Sequence, residues 1–314
     1  MLFRDFSLPV GACASTSNAS IVDLRPIDST LEGSSKNMSI AERVSSLPAL
    51  SPSVMKILDL SNDVTASPKD LMNIIKLDPV LTGKILNLVN STYFSMPQRI
   101  SSLNRALILL GFNTIKNIAL SSALVEATGL QRKSPEYDAL WQHLLGVGVT
   151  SKLIAIKAQQ PRNLLEEYFI AGLLHDIGDF MLLSLEYKKT VTLLKESQNE
   201  DFDFIRVCQD NFMFNGPGIG ALIISHWRLP DSFKDIALHR ERFGENSSFV
   251  VNAVHIADKL IRSLGIGLVT DLKGIEISEN DLKLIDLSAD DLSEIKTQIP
   301  EALEKAQVFL KDCS

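Results

Sequence analysis

The chain of 314 residues carries 31 Lys and Arg against 38 Asp and Glu, a net charge of -7, and 45% of its residues are hydrophobic. This composition is ordinary for a globular protein with a large core and excludes an intrinsically disordered chain. The acidic balance also argues against a general nucleic-acid binder, because such affinity comes from clustered Lys and Arg.

The first 38 residues lack the periodic hydrophobicity of a folded segment. From Gly11 to Ser39 the chain holds seven serines together with Gly, Pro and Asn. Such a composition cannot offset the entropy cost of ordering, so we predict a flexible leader over residues 1–38. The segment before Cys13 resembles a bacterial lipoprotein cleavage box, but charged residues and Pro9 break the preceding apolar run, which argues against export.

Cysteine usage indicates the compartment. The three cysteines are widely separated and form no CxxC pair, so neither a disulfide framework nor a zinc ribbon is indicated. We therefore expect a reduced, cytoplasmic protein. The most apolar long stretch, Tyr168–Leu185, contains His175, Asp176 and Asp179, which predicts a buried helix rather than a membrane span.

From Ile40 onward, apolar residues recur at helical spacing almost without interruption. Few alternating segments rich in Val, Ile and Thr compete with this pattern. The sequence therefore predicts an all-α fold. Three stripes carry the prediction: Leu81, Ile85, Leu88 and Val89; Leu103, Leu107 and Leu110; and Leu140, Leu144, Val147 and Ile154.

Helix boundaries are marked by capping residues and by Gly and Pro. Ser67–Asp70 and Asp78–Pro79 each supply an N-cap side chain followed by proline, which predicts two helix starts. Gly129 and Pro135 predict a break between two helical regions. Weak periodicity over Leu268–Asp286 predicts a loop with short helices.

Two helix starts are predicted near the C-terminus. Ser288–Asp291 has the pattern of a helix cap. Ile299–Glu301, with proline at its centre, predicts the opening of a final helix that ends near Cys313.

A His-Asp pair lies in the middle of the most apolar stretch. The segment Gly172–Gly178 places His175 and Asp176 side by side inside an apolar helix. Burying both side chains is costly unless each has a specific interaction partner. Imidazole and carboxylate together suit a divalent cation such as Mn, Fe, Co, Mg or Zn. Such a cation would also relieve the desolvation of the buried acid.

Two more residues have suitable chemistry and placement. His143 lies at the edge of an apolar stripe, and Asp258 follows Val254 by four and precedes Ile261 by three on an apolar face. We expect both to converge with His175 and Asp176 in a helical core, as a candidate site for one divalent metal ion. Hydrogen bonding between the same buried groups could instead join the helices without an ion, and both interpretations stay open.

A series of short motifs occurs in one order along the chain: Leu47–Leu50, Leu77–Leu81, Val89–Phe94, Ile100–Ser102, Ala106–Gly111, Ala171–Gly178, Trp227–Pro230 and Ala257–Asp258. This set resembles the HDOD domain, a bacterial signalling relative of the HD superfamily of metal-dependent phosphohydrolases. The resemblance covers about residues 40 to 265. It matches His143, His175, Asp176 and Asp258 to the four HD-type ligand positions.

The resemblance implies an organisation and a class of function. It implies a helical bundle in two subregions, an HDOD domain over 39–265 with an N-terminal part over about 39–128 and an HD-like part over about 136–265, followed by a helical extension over 266–314. It also implies a module found alone or fused to signalling domains, usually without demonstrated catalysis and often with a degraded metal site.

Some positions depart from the catalytic relatives. The segment Asn215–Ala221 has no histidine where relatives often carry one, His239 lacks the second histidine of a common pair, and Asp179 stands where a phosphate-holding lysine is common. Two metal ions and a phosphoryl transition state need more ligands and positive charge than this pattern supplies. Any enzyme here is therefore expected to be mononuclear, with Asp176 as a catalytic residue and Arg240 or Lys259 as phosphate contact. His239 is a weaker ligand candidate.

Two functions remain open on the sequence. The one we favour is a non-catalytic HDOD signal-transduction module that acts through protein or small-ligand contacts. The alternative is a metal-dependent phosphohydrolase that acts on a nucleotide or cyclic nucleotide. Expected partners are signalling proteins and a candidate nucleotide ligand, without general nucleic-acid or membrane binding, and the helical stripes suit monomer and dimer packing equally.

Overall fold

The computed structural model describes residues 42, 44, 50–61, 67–90, 98–127, 134–196, 207–208, 210–211, 215–239, 243–267 and 276–311. Within these ranges every regular element is helical and none is a strand, so the predicted all-α fold is confirmed. The predicted leader, residues 1–38, and Arg240 lie outside the described residues.

The first group of helices packs three helices against a longer one. Ser67 accepts from the backbone N–H of Asp70 in a capping box, and Asp78 accepts from Leu81 N–H at 2.9 Å, so both predicted helix starts are present. Gly111, with φ 82° and ψ 168°, bends the long helix in a conformation that favours glycine. The helices are α1 (Pro52–Ser61), α2 (Pro68–Lys76), α3 (Pro79–Val89) and α4 (Leu103–Ala127), and α4 contacts the other three.

The second group is built around one long helix, α5. It begins at Pro135 behind the N-cap Ser134, in agreement with the predicted break. Helix α5 packs against α6 and α11. The helices are α5 (Pro135–Lys157), α6 (Leu165–Leu174), α7 (Ile177–Leu185), α8 (Tyr187–Glu196), α9 (Gly216–His226), α10 (Ser232–Ala237) and α11 (Phe249–Ser263), with a 3-10 turn at Arg162–Leu164 before α6.

The apolar stretch predicted as one helix is two helices, which corrects that expectation. Asp176, with φ -115° and ψ 28°, separates α6 from α7. Neighbouring residues of a continuous helix point about 100° apart, so His175 and Asp176 could not both face one point without such a break. The break therefore brings both side chains to the same side of the chain.

Glycines set the helix spacing on both sides of this break. A Cβ on Gly172 would overlap the backbone of Gly148 on α5, and a Cβ on Gly178 would overlap the backbone of Gly216 on α9. The backbones of α6 and α5, and of α7 and α9, are thus in direct contact. Such close packing fixes the junction that carries His175 and Asp176.

The C-terminal part contains α12 (Glu279–Lys283) and α13 (Ala289–Lys311), and α13 packs on α5. Ser288 caps α13, as predicted, but Pro300 lies inside this helix rather than opening another, so that prediction was wrong. Ile299 before Pro300 and Ala306 after it are both fully buried. Their packing outweighs the one backbone hydrogen bond that proline removes.

Two apolar segments have the length and composition of membrane spans. These are Pro135–Lys157 and Leu165–Leu185, and 67% and 83% of their apolar windows are buried inside the protein. Core helices of globular proteins share this length and composition, so the segments are weak evidence for a membrane protein. Their burial agrees with the core position, rather than a membrane span, expected for Tyr168–Leu185.

Candidate metal centre

The four residues predicted as ligands lie together in the core. His143 comes from α5, His175 and Asp176 from the junction between α6 and α7, and Asp258 from α11. All four side chains are buried, and one ligand atom from each lies within 4.8 Å of the others. Residues 115 positions apart in sequence are thus brought to one point by three separate elements.

The spacing of the donor atoms fits a single ion. His143 Nε2 lies 3.1 Å from Asp258 Oδ1, 3.2 Å from His175 Nε2 and 3.6 Å from Asp176 Oδ2. His175 Nε2 lies 3.3 Å from Asp176 Oδ2 and 3.8 Å from Asp258 Oδ1. Donors at about 2.1 Å from one ion in tetrahedral geometry are about 3.4 Å apart, in the middle of these values.

The second nitrogen of His175 fixes how its imidazole is presented. Its Nδ1 lies 2.6 Å from the carbonyl oxygen of Gly172, to which it donates, so in the neutral ring the Nε2 lone pair faces the cluster. His143 Nε2 lies 3.2 Å from this lone pair, and His143 Nδ1 has no hydrogen-bond partner among the described residues, so a neutral His143 can carry its proton on Nε2 and donate it into the cluster. Either that proton or a metal ion can therefore lie between the two nitrogens, and the donor set suits an ion.

The charge balance of the cluster favours a cation. Burial disfavours the imidazolium of His175, but the carboxylates of Asp176 and Asp258 outweigh that effect and raise its pKa to about 10. The pKa of His143 is raised by the same two carboxylates against the same desolvation. Without a metal ion, the two carboxylates thus favour protonated imidazoles. A bound cation would displace these protons.

Arg262 is a member of the site that the sequence analysis missed. It lies one helical turn after Asp258 on α11, and its Nε donates to Asp258 Oδ1 at 2.7 Å. Its Nη2 lies 3.6 Å from Asp176 Oδ2. The Asp-Arg spacing of four residues was the signal that could have identified it, because such pairs are neighbours on a helix surface.

His239, predicted as a weaker ligand, lies beside the four residues rather than among them. It is fully buried, and its Nε2 is 3.4 Å from Asp258 Oδ2, whereas His143 approaches Oδ1. Its Nδ1 lies 3.0 Å from the carbonyl oxygen of Ile236, to which it donates. His239 thus lies against the far side of the Asp258 carboxylate, opposite the oxygen that His143 approaches.

His255 is the next imidazole outward. Its ring stacks on Phe243 with centroids 3.9 Å apart. Burial, with smaller contributions from His239 and Lys259, lowers its pKa to about 3, so this ring is neutral near pH 7. It adds no charge to the cluster.

Lys259, one of the two phosphate contacts expected from sequence, is held by the C-terminal part. Lys259 Nζ lies 3.0 Å from Asp281 Oδ2 and 3.0 Å from the carbonyl oxygen of Glu276, both in the C-terminal part. Arg240 lies outside the described residues. The Asp179 carboxylate lies against Gly216, in the first turn of α9, where the helix dipole favours a negative charge.

Sequence comparison identifies a family and one distant relative. The profile of the HDOD domain family matches residues 47–243. An uncharacterized protein of Treponema pallidum (strain Nichols) is 27% identical over 194 residues, which are 62% of this chain and 37% of that protein. The chain thus spans little more than a third of the relative's length.

Solved structures show the same fold at low sequence identity. An HDOD domain protein of unknown function from Geobacter sulfurreducens has a TM-score of 0.71 at 22% identity, over 86% of this chain and 97% of that one. A candidate signal transduction protein from Marinobacter aquaeolei VT8 has a TM-score of 0.68 at 18% identity, over 88% and 61%. A candidate phosphohydrolase from Shewanella amazonensis SB2B has a TM-score of 0.66 at 19% identity, over 88% and 99%.

Proposed function

The chain belongs to the HDOD domain family, and from that premise we propose that it is a signal-transduction module whose buried His/Asp cluster binds one divalent cation. The observation that carries the proposal is the spacing of the ligand atoms of His143, His175, Asp176 and Asp258, which all lie within 4.8 Å of one another. Two imidazoles and two carboxylates suit borderline divalent ions such as Mn, Fe, Co and Zn.

The elements that supply the ligands give the proposed ion a structural consequence. Ligation would cross-link α5, the α6–α7 junction and α11 at one point. Helix α5 also holds the C-terminal part, because Lys157 Nζ lies 3.2 Å from Asp291 Oδ1 and 2.6 Å from Glu294 Oε2 on α13. Binding of the ion would therefore constrain helices that reach from the core to the surface. A regulatory module requires such a connection between an internal site and its surface.

Metal content tests this proposal directly. Untagged protein purified without chelator is expected to carry about one equivalent of Mn, Fe, Co or Zn by ICP mass spectrometry, and Asp176→Ala is expected to lose it. Asp231→Ala, whose carboxylate is exposed at the protein surface, is the matched control and should retain the metal. Absence of metal from the parent, even after Mn and Fe are added back, would contradict the proposal.

A metal-dependent phosphohydrolase is the second candidate function. The convergence of all four ligand positions favours it, because a bound cation would lower the pKa of a water molecule and polarise a phosphate oxygen. The positions of Lys259 and Asp179 count against it, since neither supplies positive charge for phosphate at the cluster. Mn-loaded parent, Asp176→Ala and Asp231→Ala should be compared on bis(p-nitrophenyl) phosphate and a nucleotide panel. Turnover that only Asp176→Ala loses would favour the enzyme.

A further inference from the structure

We propose that Arg262 is an internal counter-cation that competes with a divalent metal ion for Asp258 and Asp176. The inference rests on the proposed metal site and assigns this site a residue that sets its affinity. The guanidinium lies at the edge of the cluster, with 10% of its side chain exposed.

The guanidinium contacts the same oxygen atoms that a metal ion would use. Its Nε is 2.7 Å from Asp258 Oδ1, the oxygen that also lies 3.1 Å from His143 Nε2. Its Nη2 is 3.6 Å from Asp176 Oδ2, the oxygen that lies 3.3 Å from His175 Nε2. One planar side chain thus faces the ligand oxygens of both carboxylates.

The charges explain why this placement matters. When no metal is bound, the negative charges of the two buried carboxylates are balanced by the guanidinium of Arg262 together with the protons that the imidazoles retain. A divalent ion neutralises both carboxylates and then meets the guanidinium charge at short range, where burial weakens solvent screening. Arg262 therefore stabilises the metal-free protein and weakens metal binding.

A simple structural role makes a different prediction. If Arg262 only fixed the Asp258 side chain through an ion pair along α11, its removal would disorder a ligand and weaken metal binding. The counter-cation role predicts that removal lowers the stability of the metal-free protein while metal binding becomes tighter. The sign of the change in affinity separates the two.

The experiment is a titration of Mn²⁺ into metal-free full-length protein by calorimetry, with the melting temperature of each metal-free variant as a second readout. For R262Q we expect a lower melting temperature and a Kd for Mn²⁺ lower by about tenfold or more. R262K keeps the charge but cannot bridge both carboxylates, so its Kd should fall between those of R262Q and the parent. Lys259→Gln, which removes the adjacent charge held by Asp281, should change Kd by less than about threefold.

The outcomes distinguish this inference from the proposed function. A parent that binds Mn²⁺ while R262Q and R262K bind it equally or more weakly overturns the role of Arg262 alone. If only the variants bind, Arg262 excludes the ion, which supports the inference and contradicts metal binding by the parent. If no protein binds Mn²⁺, both proposals fall. Should metal-free R262Q not remain folded, the Kd of R262K relative to the parent decides whether Arg262 weakens or supports Mn²⁺ binding.

Discussion

Gly172→Ala is expected to destabilise the fold by about 3 kcal/mol or more, although it adds only one methyl group. The new Cβ would overlap the Gly148 backbone and lie 2.7 Å from the carbonyl carbon of Val147. Backbone atoms cannot rotate away as a side chain can, so α6 must move relative to α5. Because Gly172 also supplies the carbonyl that accepts from His175 Nδ1, the movement should misplace that imidazole.

Gly83→Ala provides the matched control for this substitution. Gly83 lies within α3, and a Cβ there would meet nothing within 4 Å. Alanine is the better helix former, so this variant should gain about 0.5 to 1 kcal/mol. Urea unfolding of both variants and the parent measures the difference. Similar stability changes in the two variants would show that the contact between α5 and α6 is not as close as described.

The fold class and the candidate ligands could be predicted because they follow local rules. Apolar residues at helical spacing, such as Leu144 and Ile154, are buried as a helical core requires. The cap at Ser67 reflects hydrogen bonds within a few residues of sequence. The ligand types His and Asp stand out in apolar helices because burying them alone is costly, whatever the tertiary structure.

The features that were missed depend on contacts between distant segments. The break at Asp176 follows from how α6 and α7 pack on α5 and α9, which the continuous apolar pattern does not reveal. Arg262 resembles any charged residue near a helix end until the α6–α7 junction brings Asp176 Oδ2 to 3.6 Å from its Nη2. Pro300 follows the local pattern of a helix start, and tertiary packing of the buried Ile299 overrides it.

Asp258→Asn is expected to destabilise the metal-free protein by about 3 to 5 kcal/mol, because removing one partner from a buried charge network leaves the others uncompensated. The two Asp258 oxygens lie within 3.4 Å of Arg262 Nε, His143 Nε2 and His239 Nε2. Asparagine has nearly the same shape but one accepting oxygen and no charge. The guanidinium and the imidazoles would then face each other around a neutral amide.

Urea unfolding in the presence of a chelator measures this loss apart from any contribution of metal. Asp231→Asn is the matched control, since the side chain of Asp231 is 89% exposed and its contact with Lys234 is a surface ion pair. Such pairs contribute little, so this variant should unfold with the parent. If Asp258→Asn also unfolds with the parent, the cluster does not hold charge in the metal-free state. The carboxylate would then serve metal binding alone, and the loss should appear only in the Mn²⁺ titration.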